Sequence, residues 1–148
     1  MNQRLVLFTK HLLDVMFYLG IFLTVSIPFL FRWVGAYIKS FRIYYVPQTV
    51  LYVLSGILCL LIVAELRKMF DTVLSDNAFV EANVVSLKSM GKYSFAISFL
   101  SVIRIFFSPT PATVVVIVVF AIAGLFSIVL CQVFEKAIRY KEENDLTI

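Results

Sequence analysis

The sequence is poor in charge and in the residues that hold metal ions. Asp, Glu, Lys and Arg make up 15% of its 148 residues, whereas a soluble domain carries about 25%. One histidine and two cysteines are too few for a bis-histidine haem or for a structural zinc site, which needs four nitrogen or sulfur ligands. Nucleophile motifs, a glycine-rich phosphate loop and an HExxH motif are also missing. We therefore expect a protein that is not an enzyme and that uses no cofactor.

Four long apolar runs dominate what is present. Hydrophobic residues make up 61% of the chain, and its mean hydropathy is +0.98. The runs cover residues 15–31, 44–64, 93–107 and 112–134. Three of them are long enough, or nearly so, to cross a hydrocarbon core of about 30 Å. Because a membrane segment must satisfy its own backbone amides, we expect helices even at the valine-rich residues 113–119.

These runs predict an all-α integral membrane protein, a four-helix bundle formed by a single domain over residues 1–148. The expected spans are about 12–31, 44–65, 90–107 and 112–134. The third is the weakest, because Lys92 and Arg104 enclose only about 18 Å of helix. Between spans 2 and 3, residues 66–89 are expected to form a cytoplasmic helical hairpin, since their apolar residues recur at helical spacing. Residues 135–148 would form a cytoplasmic tail.

The basic residues predict the orientation of the spans. One side of the membrane would carry Arg4, Lys10, Arg67, Lys68, Lys88, Lys92, Lys136, Arg139 and Lys141, and the other would carry Arg32, Lys39, Arg42 and Arg104. Cytoplasmic loops are enriched in Lys and Arg, so both termini are expected in the cytoplasm of a bacterial cell. All nine acidic residues fall on that side as well. The net charge of +4 is spread over the membrane flanks and does not indicate direct nucleic-acid binding.

The outer loop, residues 32–43, separates its aromatic rings from its cations when it is drawn as a helix. Trp33, Tyr37 and Phe41 fall on one side, and Arg32 and Arg42 fall on the other. This pattern is typical of a short helix in the lipid interface. An aromatic belt with cations reaching the phosphates is favoured over ligand binding.

Two sets of intramembrane polar residues are candidates for function. Asp14 belongs to a group of three carboxylates, with Glu65 and Glu135, that can line a cation path or can simply be solvated or paired with lysines. Arg104 follows a serine face formed by Ser94, Ser98 and Ser101. That face can line an outward-facing, anion-attracting cavity, or it can be close helix packing beside a snorkelling cation.

Small residues and thiols in the spans suggest packing. Ala123, Gly124 and Ser127 suit close helix contact, either within one protomer or between the two copies of a homodimer. Cys59 and Cys131 are expected to be reduced core residues.

Several short segments resemble the YoaS-like family of small bacterial four-helix membrane proteins of unknown function. They are Leu-Arg-Lys-Met-Phe at 66–70, Asn-Ala-Phe at 77–79, Asn83, Leu-Lys-Ser-Met-Gly at 87–91, Phe-Glu-Lys-Ala at 134–137 and the Glu-Glu-Asn-Asp-Leu-Thr-Ile ending at 142–148. Family members usually have glycine at Asn77 or its neighbour, so the turn departs from the pattern. The resemblance implies no catalytic residues. It implies a gene often placed beside a small helix-turn-helix regulator of the Cro/C1 type.

The leading functional hypothesis is control of that regulator by sequestration at the membrane. An apolar ridge would contact it, formed by Met69, Phe70, Val73, Leu74, Phe79 and Leu87. Carboxylates would compete for its DNA-reading face, namely Glu142, Glu143 and Asp145, with Asp76 and Glu81. The same ridge can instead pack within the hairpin or onto the membrane. The alternative function is a small transporter, or an immunity protein against a membrane-active peptide, that uses Asp14, Arg104 and the serine face.

Overall fold

The computed structural model describes residues 2–146, and within that range the protein is built from helices without strands. The helices are α1 (Gln3–Val34), α2 (Lys39–Ile43), α3 (Tyr45–Leu74), α4 (Glu81–Ile105) and α5 (Pro111–Leu146). The predicted all-α class is confirmed. The last two residues of the predicted tail, 147 and 148, lie outside the described range.

Local sequence signals account for several helix ends. The side chain of Asn2 accepts a hydrogen bond from the backbone N–H of Leu5 at the start of α1, as an N-cap residue does. At the start of α5, the Thr110 hydroxyl accepts from the backbone N–H of Thr113, and Pro111 occupies the first helical position. After α3 the chain turns at Asp76, which has a positive φ of 56°.

The four long helices form an open row in the order α1, α3, α4, α5. Within residues 2–146, α1 contacts α2 and α3, α3 also contacts α4, and α4 contacts α5. Over the same residues α1 touches neither α4 nor α5. A closed bundle of four helices is therefore not confirmed, because α1 lies at one edge of the row.

Along the direction of the helix axes, both termini of the described chain and the turn 75–80 lie at the same end of the molecule, which we call the terminal end. The other end, which we call the α2 end, holds α2 and the turn 106–110. Val84, Leu87, Cys131 and Ile138 form a buried apolar cluster towards the terminal end, with Met69, Leu130 and Phe134 packed around it. The ends of α3, α4 and α5 therefore pack together where the hairpin 66–89 was predicted.

Three helices, α1, α3 and α5, are long and apolar enough to cross a membrane. They contain the predicted spans 12–31, 44–65 and 112–134, except that α3 begins one residue later, at Tyr45. Most apolar side chains of α1 and α5 are exposed and most of those of α3 are half-buried, as is expected of helices with one or more sides towards lipid. By contrast, α4 does not meet that criterion, although it contains most of the weakest predicted span. It has more buried residues than any other of the four long helices.

Candidate functional site

Arg104 occupies a buried position near the α2 end of the row. It lies in the last turn of α4 and is only 7% exposed. Its guanidinium carbon lies 4.0 Å from the centre of the Tyr52 ring on α3. Its Nη2 donates to the Thr113 hydroxyl on α5 over a long distance of 3.5 Å. Three helices therefore enclose one cation, and an aromatic face stabilises it from one side.

Within residues 2–146, the charge of Arg104 has no acidic counterpart. Every ion pair found between described residues involves other cations, and the buried Nε of Arg104 has no hydrogen-bond partner. A buried cation is normally paired, because its lost hydration is costly. Arginine cannot escape this cost by losing its proton.

Further unpartnered polar atoms lie within about one helical turn of this guanidinium or of Tyr52. They are Gln48 Oε1, Thr49 Oγ1 and Ser101 Oγ. We call Gln48, Thr49, Tyr52, Ser101, Arg104 and Thr113 the Arg104 cluster. Sequence reasoning found Arg104 and Ser101 but missed the partners on α3 and α5. The i, i+4 spacing of Gln48 and Tyr52 inside an apolar run was a usable signal for the α3 side.

The serine face of α4 is buried, and most of its members pack between α4 and its neighbouring helices. Ser94 and Ser98 are 3% and 9% exposed, and the Ser98 hydroxyl donates to the carbonyl of Ile117 on α5 at 2.9 Å. Gly91 also approaches the backbone of Gly124 on α5. Ser101 is the member of the face that adjoins Arg104.

Asp14 lies far from Arg104, towards the terminal end, so the structure does not bring these two candidates together. Its carboxylate accepts a hydrogen bond from Arg67 Nε on α3 at 2.7 Å. Arg67 also stacks on the ring of Phe17, 4.7 Å from its centre. One turn further on, Lys10 pairs with Asp71. These contacts join α1 to α3 electrostatically.

The other two carboxylates of that group also have cationic neighbours. Glu65 Oε1 lies 3.4 Å from Lys68 Nζ, and Glu135 Oε1 lies 3.9 Å from Lys88 Nζ. Among the residues the structure describes, no group of three or more His, Cys, Asp or Glu side chains is arranged to hold a metal ion.

The predicted apolar ridge divides between the core and the surface. Leu87 is buried in the apolar cluster, and Met69 packs against that cluster. Phe79 is 47% exposed, with its ring 5.0 Å from that of Phe134. The remaining three members, Phe70, Val73 and Leu74, are half-buried.

The predicted acidic residues lie on the surface. Glu142, Glu143 and Asp145 are exposed on the last turns of α5. Glu142 also borders a cavity of about 250 Å³ that is lined by Glu81, Glu135, Ile138 and Arg139. The terminal end therefore presents exposed carboxylates on helices that are held together by the buried apolar cluster.

The α2 end carries two further cavities that the sequence did not indicate. One, of about 310 Å³, is lined by Phe31, Arg32, Gly35, Ala36, Phe41, Arg42 and Tyr45. Its wall is fixed by a hydrogen bond of 3.2 Å from Arg42 Nε to the carbonyl of Gly35. The other, of about 390 Å³, is lined by Ile105, Pro109, Thr110, Pro111 and Val114.

Fold and surface together define an all-helical protein with three helices able to span a membrane. The chain belongs to the family described as Protein of unknown function (DUF2975), whose family model matches residues 12–148. No curated protein and no solved structure matches the chain.

Proposed function

We propose that this is a four-span membrane protein of the bacterial cytoplasmic membrane whose terminal end lies in the cytoplasm and binds a basic protein partner. The partner suggested by the YoaS-like resemblance is a small helix-turn-helix regulator. Binding would hold the regulator at the membrane, and a change in the membrane-embedded helices would release it. The observation that carries the proposal is the exposed carboxylate group at the end of α5, formed by Glu142, Glu143 and Asp145.

The position of α4 supports its assignment as the fourth span. Tyr52 contacts Arg104 towards one end of the α3–α4 pair, and Thr72 contacts Asn83 at the other. A helix that accompanies α3 over this length would cross the same bilayer. Its polar side chains face α3 and α5, so they need not meet lipid.

Helix length supports a cytoplasmic projection. The 36 residues of α5 correspond to about 54 Å of helix, while the hydrocarbon core needs about 30 Å. The excess at the terminal end is held by the cluster around Leu87 and Cys131. A partner would therefore meet a firm surface, which lowers the entropic cost of binding.

The chemistry of this surface fits a basic partner. Glu142, Glu143 and Asp145 are exposed, and Glu81 and Glu142 border one cavity. Carboxylates presented together attract a DNA-reading face and occupy it in competition with DNA. Phe79 adds an exposed ring nearby, supported by Phe134. Of the predicted ridge, Phe79 is the member with the largest free surface.

Co-purification with the product of the neighbouring regulator gene tests the proposal. The full chain in membranes should retain the regulator, and binding should weaken as salt screens the exposed charges. The triple variant Glu142→Gln, Glu143→Gln, Asp145→Asn should release it. The matched control Glu142→Asp, Glu143→Asp, Asp145→Glu keeps the charge and should retain binding. Retention by the neutral triple variant and by Phe79→Ala would refute the proposed surface.

The second candidate function, a small transporter or an immunity protein, is favoured by the uncompensated charge of Arg104. It would use the interior of the helices instead of the terminal end. A cellular phenotype that is lost in Arg104→Ala and unchanged in the neutral triple variant would select it. The opposite pattern would select control of the regulator.

A further inference from the structure

The hydrogen-bond donors of the Arg104 cluster are only partly used. Arginine presents five N–H donors in a planar fork. The guanidinium carbon lies over the Tyr52 ring, and this contact leaves the N–H donors to be satisfied elsewhere. On the edge, Nη2 has one long contact to Thr113, and Nε has none. The unpartnered hydroxyls of Thr49 on α3 and Ser101 on α4 are additional donors.

A positive charge with spare donors from neighbouring helices is complementary to an oxyanion. A planar guanidinium matches two oxygens of a phosphate group in a bidentate arrangement. Hydroxyl groups complete the remaining acceptor positions. Water alone would satisfy the donors and leave the buried charge uncompensated.

A chain of hydroxyls connects the guanidinium to an apolar cavity. Thr113 Oγ1, which receives Arg104 Nη2, lies 2.8 Å from Thr110 Oγ1. Thr110 in turn lines the cavity of about 390 Å³ formed with Ile105, Pro109, Pro111 and Val114. A phosphate ester bound at the guanidinium can therefore also contact this apolar cavity.

From these contacts we infer that the Arg104 cluster is a binding site for a phosphate group, with Arg104 as its anchoring cation and Thr113, Ser101 and Thr49 as hydroxyl donors. Two sources supply that chemistry: the phosphate of a phospholipid headgroup and soluble phosphate. The site lies beside the turn between α4 and α5, at the depth of headgroups if α4 spans the bilayer. It stands independently of the partner proposed for the terminal end.

Arg42 provides a matched comparison at the same end of the molecule. It is exposed, and its Nε is already used by the Gly35 carbonyl. Arg42→Gln changes the net charge of the protein as much as Arg104→Gln does. The Arg42 substitution, however, leaves the Arg104 cluster intact.

Thermal unfolding of the purified full chain in a phosphate-free maltoside detergent tests the site. Short-chain phosphatidic acid, the diacylglycerol with the same chains, and inorganic phosphate at constant ionic strength would be added separately. We expect phosphatidic acid to raise the unfolding midpoint in a saturable way and diacylglycerol to leave it unchanged. A comparable rise with inorganic phosphate would identify soluble phosphate as a sufficient ligand.

The Arg104→Gln variant should weaken the apparent affinity by about tenfold or more, the loss expected for a charged hydrogen bond, while Arg42→Gln should bind like the wild type. The nearly isosteric Thr113→Val should also weaken binding, and it keeps the site testable if Arg104→Gln fails to fold. Failure of both phosphate probes to shift the midpoint would overturn the inference. So would an equal shift by diacylglycerol, or unchanged affinity in both Thr113→Val and any folded Arg104→Gln protein. None of these results depends on binding of the regulator.

Discussion

The helices α1 and α4 show opposite relations between apolar sequence and burial. Helix α1 is apolar enough to span a membrane, yet its buried residues are only Val6 and Leu13. Helix α4 fails the same apolarity criterion and buries Asn83, Val84, Ser86, Leu87, Met90, Gly91, Ser94, Ile97, Ser98, Ser101 and Arg104. In water this pattern would be inverted, because burial there follows apolarity.

The bilayer position proposed above for these helices explains the difference. Apolar side chains of α1 lose little by facing lipid, since lipid tails are as apolar as they are. Polar side chains of α4 would be costly in lipid, and in the structure they face α3 and α5, where Asn83 donates to Thr72 and Ser98 donates to the Ile117 carbonyl. Hydropathy therefore identifies α1, α3 and α5 as able to span a membrane and leaves out α4, whose polar residues are buried between helices.

The largest effect is expected where α4 meets α5. A Cβ atom at position 124 would lie 2.9–3.0 Å from three atoms of the Phe95 ring, and a ring has little freedom to move aside. Gly124→Leu should therefore lower the free energy of unfolding by about 3 kcal/mol. Titration of the purified protein from maltoside into dodecyl sulfate, followed by circular dichroism, measures it.

The matched substitution in α1 is Gly20→Leu. A Cβ atom there would lie 2.8 Å from one terminal methyl carbon of Leu60, and a leucine side chain can rotate away. We expect a loss of about 1 kcal/mol or less. Equal losses for the two glycines would show that α1 at the edge of the row is packed as tightly as α4 inside it, which would contradict the difference between these two helices.

The next largest effect is expected at Asn83, which is 1% exposed. Its Nδ2 donates to the Thr72 hydroxyl at 2.7 Å and to the Ala78 carbonyl at 2.5 Å. Asn83→Ala should cost about 1–3 kcal/mol, because it removes the buried amide and leaves these half-buried acceptors without their partner. The same dodecyl sulfate titration checks this value. The exposed Asn77→Ala in the preceding turn is the control and should stay within about 0.5 kcal/mol of the wild type.

The sequence predicts the apolar helices of this fold well and its polar contacts poorly. Apolar runs correctly place α1, α3 and α5, because span length and hydropathy are local properties. The pairing of Asp14 with Arg67 and the enclosure of Arg104 by Tyr52 and Thr113 depend on which helices become neighbours. That order in the row follows from packing between distant segments, which periodicity does not report.

A moderate effect is expected at Asp76, the described non-glycine residue with a positive φ. Asp tolerates this conformation, glycine adopts it freely, and a β-branched residue is strained in it. Asp76→Val should lower the free energy of unfolding by about 1–2 kcal/mol, and Asp76→Gly should change it by less than about 1 kcal/mol. A tolerated valine would mean that the turn between α3 and α4 has another conformation.

The smallest effect is expected at the polar contact that joins α1 to the row. Asp14 and Arg67 are each 29% exposed at the side chain, so solvent screens their attraction, and the pair should contribute about 0.2–1 kcal/mol. A double-mutant cycle with Asp14→Asn and Arg67→Gln isolates that coupling. Arg67 also stacks on Phe17, so Arg67→Gln alone should cost more than Asp14→Asn. A coupling energy larger than the loss measured for Asn83→Ala would contradict this order. The charge pair that holds α1 would then stabilise the protein more than the buried amide of α4 does.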